Sequence, residues 1–235
     1  MTTKTARKIL DGFYWIEARQ SYLPDSNIFL VQDREDQFVL FDAGLENFYS
    51  DTCEAITELG FDLKNLDRLI LTHTHLDHAM STPRFLQDAK DAEVWVSEVE
   101  GNLLEAGDSS IVYPQLLDLP PLPPIPVARK LQDGDAFKVG DFTFQVLLTP
   151  GHSAGSLCFF EPQQKLLISG DVVFRHGSFG RYDLPTGNGE QLKQSITRIS
   201  KLPVEILCPG HMGIALKNGQ QEIKFSLQNA QLMVY

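Results

Sequence analysis

Cysteine is scarce in this chain of 235 residues: only Cys53, Cys158 and Cys208 are present. An odd number with no C-x-x-C spacing provides no disulfide framework and reads as free thiols in a reducing compartment. Positive charge is also short. Twenty Lys and Arg stand against 31 Asp and Glu, a net charge of −11, so a broad nucleic-acid-binding face is not expected. Long apolar runs are missing, and none approaches a membrane span. The first ten residues are basic but lack the apolar stretch of a secretory signal. Low-complexity tracts and repeats at solenoid periods are absent as well. The expectation is a soluble cytoplasmic protein with no nucleic-acid and no membrane partner.

What is present is core-forming material. At 43% hydrophobic residues, the chain can bury one large core or two small ones. Phe13–Ile16, residues 28–31 and Phe38–Phe41 read as strands, with a polar hairpin tip at residues 33–36. Residues 46–59 read as a helix with Phe48, Ala55, Ile56 and Leu59 on one face and Gly60 as its C-terminal cap. A strand over residues 67–71 follows, then a short helix opened by Thr82-Pro83 and a strand at Glu93–Ser97. Further strands are expected at 142–148, 156–160, 166–169 and 204–208, and further helices near 98–104, over 190–200 and over 220–233. Residues 114–126 hold six of the thirteen prolines. This segment is either a stiff surface connector or a wall of a substrate pocket.

The chemistry concentrates in Thr72-His73-Thr74-His75-Leu76-Asp77-His78. Half of the chain's six histidines lie in this run, directly after the apolar residues 69–71. Neutral imidazole and carboxylate suit zinc, iron or manganese. One turn cannot easily aim all four side chains at one ion, so either two ions share the run or other ligands come from elsewhere. His152, Asp171 and His211 are candidates. Each follows an apolar strand-like stretch, immediately after a glycine that permits a tight turn. A core histidine would sit inside such a stretch; these sit where a strand ends. If the strand ends gather at one edge, His73, His75, Asp77, His78, His152, Asp171 and His211 converge there. Seven ligands are too many for one tetrahedral ion and suit two, with the Asp171 carboxylate as the bridge and a hydroxide between the metals. Because residues on both sides of the proline-rich segment contribute, residues 1–235 are read as a single domain.

This pattern resembles that of the metallo-β-lactamase superfamily. Supporting stretches are Phe41-Asp42-Ala43-Gly44, Thr149-Pro150-Gly151-His152-Ser153, Gly170-Asp171-Val172-Val173-Phe174, Gly180-Arg181-Tyr182-Asp183-Leu184-Pro185 and Pro209-Gly210-His211. The resemblance implies an α/β fold, a four-layer αβ/βα sandwich with the metal site at one edge of the two sheets. It assigns His73, His75 and His152 to one divalent ion and Asp77, His78 and His211 to the other, with Asp171 bridging. The ions are expected to be zinc, with iron or manganese as alternatives. The Gly170-Asp171 and Gly180-Arg181 stretches look most like the glyoxalase II-like branch, whose members cleave thioesters.

The reading is therefore a metal-dependent hydrolase of a small ester or thioester, with the bridging hydroxide as nucleophile. Asp77 is expected to bind metal and orient that hydroxide. Asp42 either supports the ligands through hydrogen bonds or only ends a strand. Arg181 either binds an anionic group of the substrate or forms a loop ion pair with Asp183. Three alternatives stand beside this reading: a mononuclear iron persulfide dioxygenase, a lactone hydrolase and a non-catalytic metal-binding protein. Nothing in the sequence sets the oligomeric state.

Overall fold

A computed structural model describes residues 4–34 and 36–233. Residues 1–3 of the basic N-terminal stretch and Glu35 of the expected hairpin tip lie outside the described residues. The chain forms two compact units. One comprises Met1–Val96, Glu100–Lys130 and Val139–Asp141; the other Ser97–Val99, Leu131–Lys138 and Phe142–Tyr235.

The first unit is built on a seven-stranded sheet in sequential order. Its strands are β1 (Ala6–Leu10), β2 (Phe13–Ile16), β3 (Ile28–Gln32), β4 (Phe38–Phe41), β5 (Leu66–Ile70), β6 (Glu93–Ser97) and β7 (Arg129–Leu131). β1 to β4 form an antiparallel meander, whereas β4, β5 and β6 run parallel. Parallel strands are covered on both faces and therefore read as unbroken apolar runs. Phe38-Val39-Leu40-Phe41 is such a run and is wholly buried.

The crossover from β4 to β5 carries α1 (Tyr49–Glu58), which buries Tyr49, Thr52, Ala55 and Ile56. The sequence places Phe48 on that face, but residues 46–48 form a 3-10 turn and Tyr49 takes the buried position. Gly60 caps the helix at φ +92°, with Phe61 N–H donating to the Ile56 carbonyl and Gly60 N–H to that of Thr57, the Schellman pattern. The β5–β6 crossover contains α2 (Leu76–Ala79) and α3 (Thr82–Asp88), and α4 (Glu98–Ala106) follows β6. The proline-rich segment opens with a 3-10 turn at Pro114–Leu117. Beyond it Leu122 and Ile125 are buried, and Ile125 N–H donates to the Leu104 carbonyl.

The second unit has a five-stranded sheet in the order β12-β11-β10-β9-β8. These strands are β8 (Ala136–Val139), β9 (Phe142–Leu148), β10 (Leu157–Glu161), β11 (Leu166–Gly170) and β12 (Ile206–Pro209). β9, β10 and β11 pair antiparallel, and β11 pairs parallel with β12. α5 (Gly189–Ile199) begins at Asn188, whose side chain accepts the Gln191 N–H, and it buries Leu192, Ser195, Ile196 and Ile199. α6 (Gly219–Met233) buries Ile223, Ser226 and Ala230. Leu227, expected inward, is partly buried against the same core. No helix among the described residues is long and apolar enough to cross a membrane.

Candidate metal centre

In the first unit the ligand run starts where β5 ends. Leu71 N–H still donates to the Trp95 carbonyl, and beyond it the chain turns through residues 72–75 into α2. His75 stands at the N-cap of that helix, with the N–H groups of His78 and Ala79 donating to its carbonyl. The turn holds the rings close. The centroids of His73 and His75 are 4.6 Å apart, and those of His73 and His78 are 4.1 Å apart. His73, His75 and His78 are buried, and the Asp77 side chain is 14% exposed.

Asp42, at the end of β4, organises these rings. It is 2% exposed and adopts φ 66°, a left-handed conformation that aspartate tolerates better than most residues. Its Oδ1 accepts the Thr72 N–H at 2.7 Å, and its Oδ2 accepts the Thr72 hydroxyl at 2.9 Å. The same Oδ2 is 2.9 Å from His78 Nδ1. Because a carboxylate only accepts, His78 must carry its proton on Nδ1 and direct the Nε2 lone pair elsewhere. Thr72 extends this logic to His73. Its single hydroxyl proton goes to Asp42, so its oxygen accepts from His73 Nδ1 at 3.0 Å, which again leaves Nε2 as the bare nitrogen. The buried Thr74 hydroxyl donates to Glu100 Oε2 at 2.8 Å, which ties the middle of the run to α4.

In the second unit His152, Asp171 and His211 come together. His152 follows β9 in a turn whose Pro150 carbonyl accepts the Ser195 hydroxyl at 2.7 Å. Its Nδ1 donates to the Arg181 carbonyl at 2.7 Å, a third histidine with Nε2 left as the bare nitrogen. Asp171 follows Gly170 at the end of β11, and His211 follows β12. His152 Nε2 lies 3.5 Å from Asp171 Oδ2, and His211 Nε2 lies 3.2 Å from it. Donor atoms about 2.0–2.1 Å from one tetrahedral ion stand about 3.3 Å from each other, so both separations have the spacing of ligands around a shared cation. The Phe174 ring meets His211 edge-on at 5.6 Å.

Gly180 makes this arrangement sterically feasible. A Cβ at this position would lie 1.9 Å from the Asp171 carbonyl oxygen and 2.8 Å from His152 Nδ1. The chain therefore passes against both ligands only without a side chain, and this brings the Arg181 carbonyl onto His152. The Arg181 guanidinium forms a fork with Asp183, at 2.8 and 2.9 Å. That contact raises the Arg181 pKa and lowers that of Asp183. Sequence reasoning did not identify Thr72, Glu100 or the Gly180 slot. Thr72 stands one residue before the ligand run, but its role depends on β4 lying beside β5, which the residue pattern does not state.

The donor set fits divalent metal. It comprises imidazoles, three of them held at Nδ1 by a hydrogen bond, carboxylates and no thiolate, and the described residues include histidine and aspartate clusters able to hold such an ion. Residues 22–211 match the metallo-beta-lactamase superfamily, and the chain belongs to that family. Among curated relatives it is 33% identical over 189 residues to "Hydroxyacylglutathione hydrolase GloC" of Haemophilus influenzae, covering 79% of this chain and 84% of the relative. It is 32% identical over 226 residues to "Acyl-coenzyme A thioesterase MBLAC2" of Gallus gallus, covering 86% and 78%. Among solved structures, TTHA1623 in a di-iron-bound form is 30% identical with a TM-score of 0.70, covering 91% of this chain and 97% of that one. The fold class expected from the sequence is the one observed, two mixed sheets with helices in the family's fold.

Proposed function

We propose that the chain is a dinuclear metallo-hydrolase that cleaves a small ester or thioester, and that its two ligand sets serve one centre within a single domain. In this reading His73, His75 and His152 hold one ion and Asp77, His78 and His211 the other, with Asp171 shared. The single observation that carries the reading is Asp171 Oδ2 lying 3.2–3.5 Å from the Nε2 atoms of two histidines. That oxygen faces one histidine of each proposed set, so Asp171 would help to hold both ions.

Bound divalent ions would acidify water to a nucleophile at neutral pH and polarise a carbonyl oxygen. The protein's own share is positional. Asp42, through His78 and Thr72, and the Arg181 carbonyl, through His152, hold the Nδ1 side of three imidazoles and so aim their Nε2 atoms. Asp77 orients the attacking oxygen. A thiolate leaving group needs little proton assistance, so this residue set suffices for a thioester. Relatives named as a hydroxyacylglutathione hydrolase and an acyl-coenzyme A thioesterase support that bond. Zinc fits the donors, and the di-iron form of TTHA1623 keeps iron beside it. The free Cys53, Cys158 and Cys208 agree with a cytoplasmic setting.

The test is a panel of neutral esters, thioesters and lactones with zinc-, iron- and manganese-loaded protein, alongside oxygen uptake with a persulfide. Thioester cleavage that is lost in Asp171→Ala is the expected result. Oxygen uptake without thioester cleavage would replace the hydrolase with a dioxygenase.

A further inference from the structure

A cavity of about 680 Å³ opens in the second unit beside the turn that follows His211, lined by Arg175, Ile214, Leu216, Lys217, Glu222 and Phe225 among others. Its charge runs against that of the chain, with two cations and one carboxylate in a protein of net charge −11. The carboxylate divides its two oxygens between a backbone N–H and one of these cations. Glu222 Oε2 accepts the His176 N–H at 2.7 Å, and Glu222 Oε1 stays 3.7 Å from Arg175 Nε. Arg175 Nε is buried with no hydrogen-bond partner among the described residues. Lys217 is exposed. Apolar side chains open to solvent line the same cavity, Leu216 at 54% and Phe225 at 48% exposure.

The cavity adjoins a candidate ligand. A Cβ on Gly213 would lie 3.5 Å from Arg175 Nη1, so the guanidinium rests against the backbone two residues past His211. Phe174, next to Arg175, carries the ring that meets His211. A molecule with its reacting carbonyl near His211 would lay a short apolar stem along Leu216 and Phe225 and present its far end to Arg175 and Lys217, which line the same cavity. A guanidinium whose ion pair to Glu222 is long, at 3.7 Å, and an exposed ammonium together favour a terminal carboxylate or phosphate.

We infer that this cavity is the subsite for an anionic group at the far end of the substrate, which makes the physiological ester or thioester an anionic one. The inference rests on the hydrolase reading above. Its test uses matched thioesters differing only in one terminal group. The thiol-side pair is S-acetyl mercaptohexanoate and its terminal amide; the acyl-side pair is S-methyl thioadipate and its terminal amide. The expected result is a kcat/KM at least about tenfold higher for the carboxylate in one pair, carried by KM, with the preference falling below about threefold in Arg175→Met/Lys217→Met. The pair that shows the preference identifies which half of the substrate enters the cavity. Lys224→Met, on the exposed face of α6, should leave the preference intact, and Arg175→Lys should keep part of it. Equal efficiency within both wild-type pairs overturns the subsite and leaves the hydrolase standing.

Cleavage of no thioester overturns the hydrolase, and the subsite is then decided by nuclear magnetic resonance on metal-free protein. Methylthiohexanoate, an inert thioether, should shift the Gly213 and Lys217 amides, and its terminal amide should not. Identical responses to the two, or none, reject the subsite.

Discussion

The carboxylate of Asp42 and the imidazole of His78 are 2.9 Å apart, although 36 positions separate them in the chain. Asp42 lies at the end of β4 and His78 in the short helix after β5, and the parallel pairing of those strands brings them together. The Ala43 N–H, which donates to the His78 carbonyl at 2.8 Å, fixes the same approach through the backbone. One buried carboxylate thereby sets the tautomer of His78 directly and that of His73 through Thr72.

Asp42→Asn tests this arrangement. An amide nitrogen at the Oδ2 position would face two donors, His78 Nδ1–H and the Thr72 hydroxyl; flipping it would face the Thr72 N–H instead. Groups that orient metal-binding histidines typically contribute about 10–100-fold in metal affinity. Competition titration with a chromophoric chelator should show a loss of that size. Unchanged affinity would reduce Asp42 to a strand terminator.

Gly180→Ala adds one methyl where the nearest backbone oxygen would be 1.9 Å away. Either the loop or Asp171 must move, at a cost of about 1–3 kcal/mol for overpacking. Thermal unfolding should show a lowered midpoint, and metal affinity should fall because the Arg181 carbonyl retreats from His152. A variant with native stability and native affinity would mean that the loop does not need this close approach.

The thiols make a pH prediction. Burial pushes the Cys158 pKa up to about 12 from its ordinary 9.0, against the pull of the Thr149 hydroxyl. The unfolded thiol ionises near its ordinary value while the folded one stays protonated. Cys158 therefore contributes stability that is fully present below about pH 9 and is lost as pH rises towards about 12. Urea denaturation across that range should fall more steeply for the wild type than for Cys158→Ala. Parallel slopes would show that the buried thiol does not control alkaline stability.

Much of this organisation is legible in the residues. Apolar runs ending in glycine followed by histidine or aspartate locate β11 and β12, which are buried along their whole length, and the candidate ligands after them; β9 alternates and only its last residues form such a run. The helix faces of α1 and α5 follow from spacing, with Tyr49 displacing Phe48 where the first turn tightens. Three strands escaped. β1 is largely solvent-facing, and β7 and β8 are three and four residues long, too short or too exposed for alternation to stand out. The Thr72 link, the Thr74–Glu100 contact and the Gly180 slot depend on which segments become neighbours, and single-chain periodicity does not encode that.

The most direct test of the shared Asp171 carboxylate is the metal content of the purified chain after equilibration with excess zinc and removal of unbound ion. Two equivalents per chain in the wild type, with loss of at least one in Asp171→Ala, is the expected result. One equivalent or none in the wild type, or two retained without the Asp171 carboxylate, would contradict it.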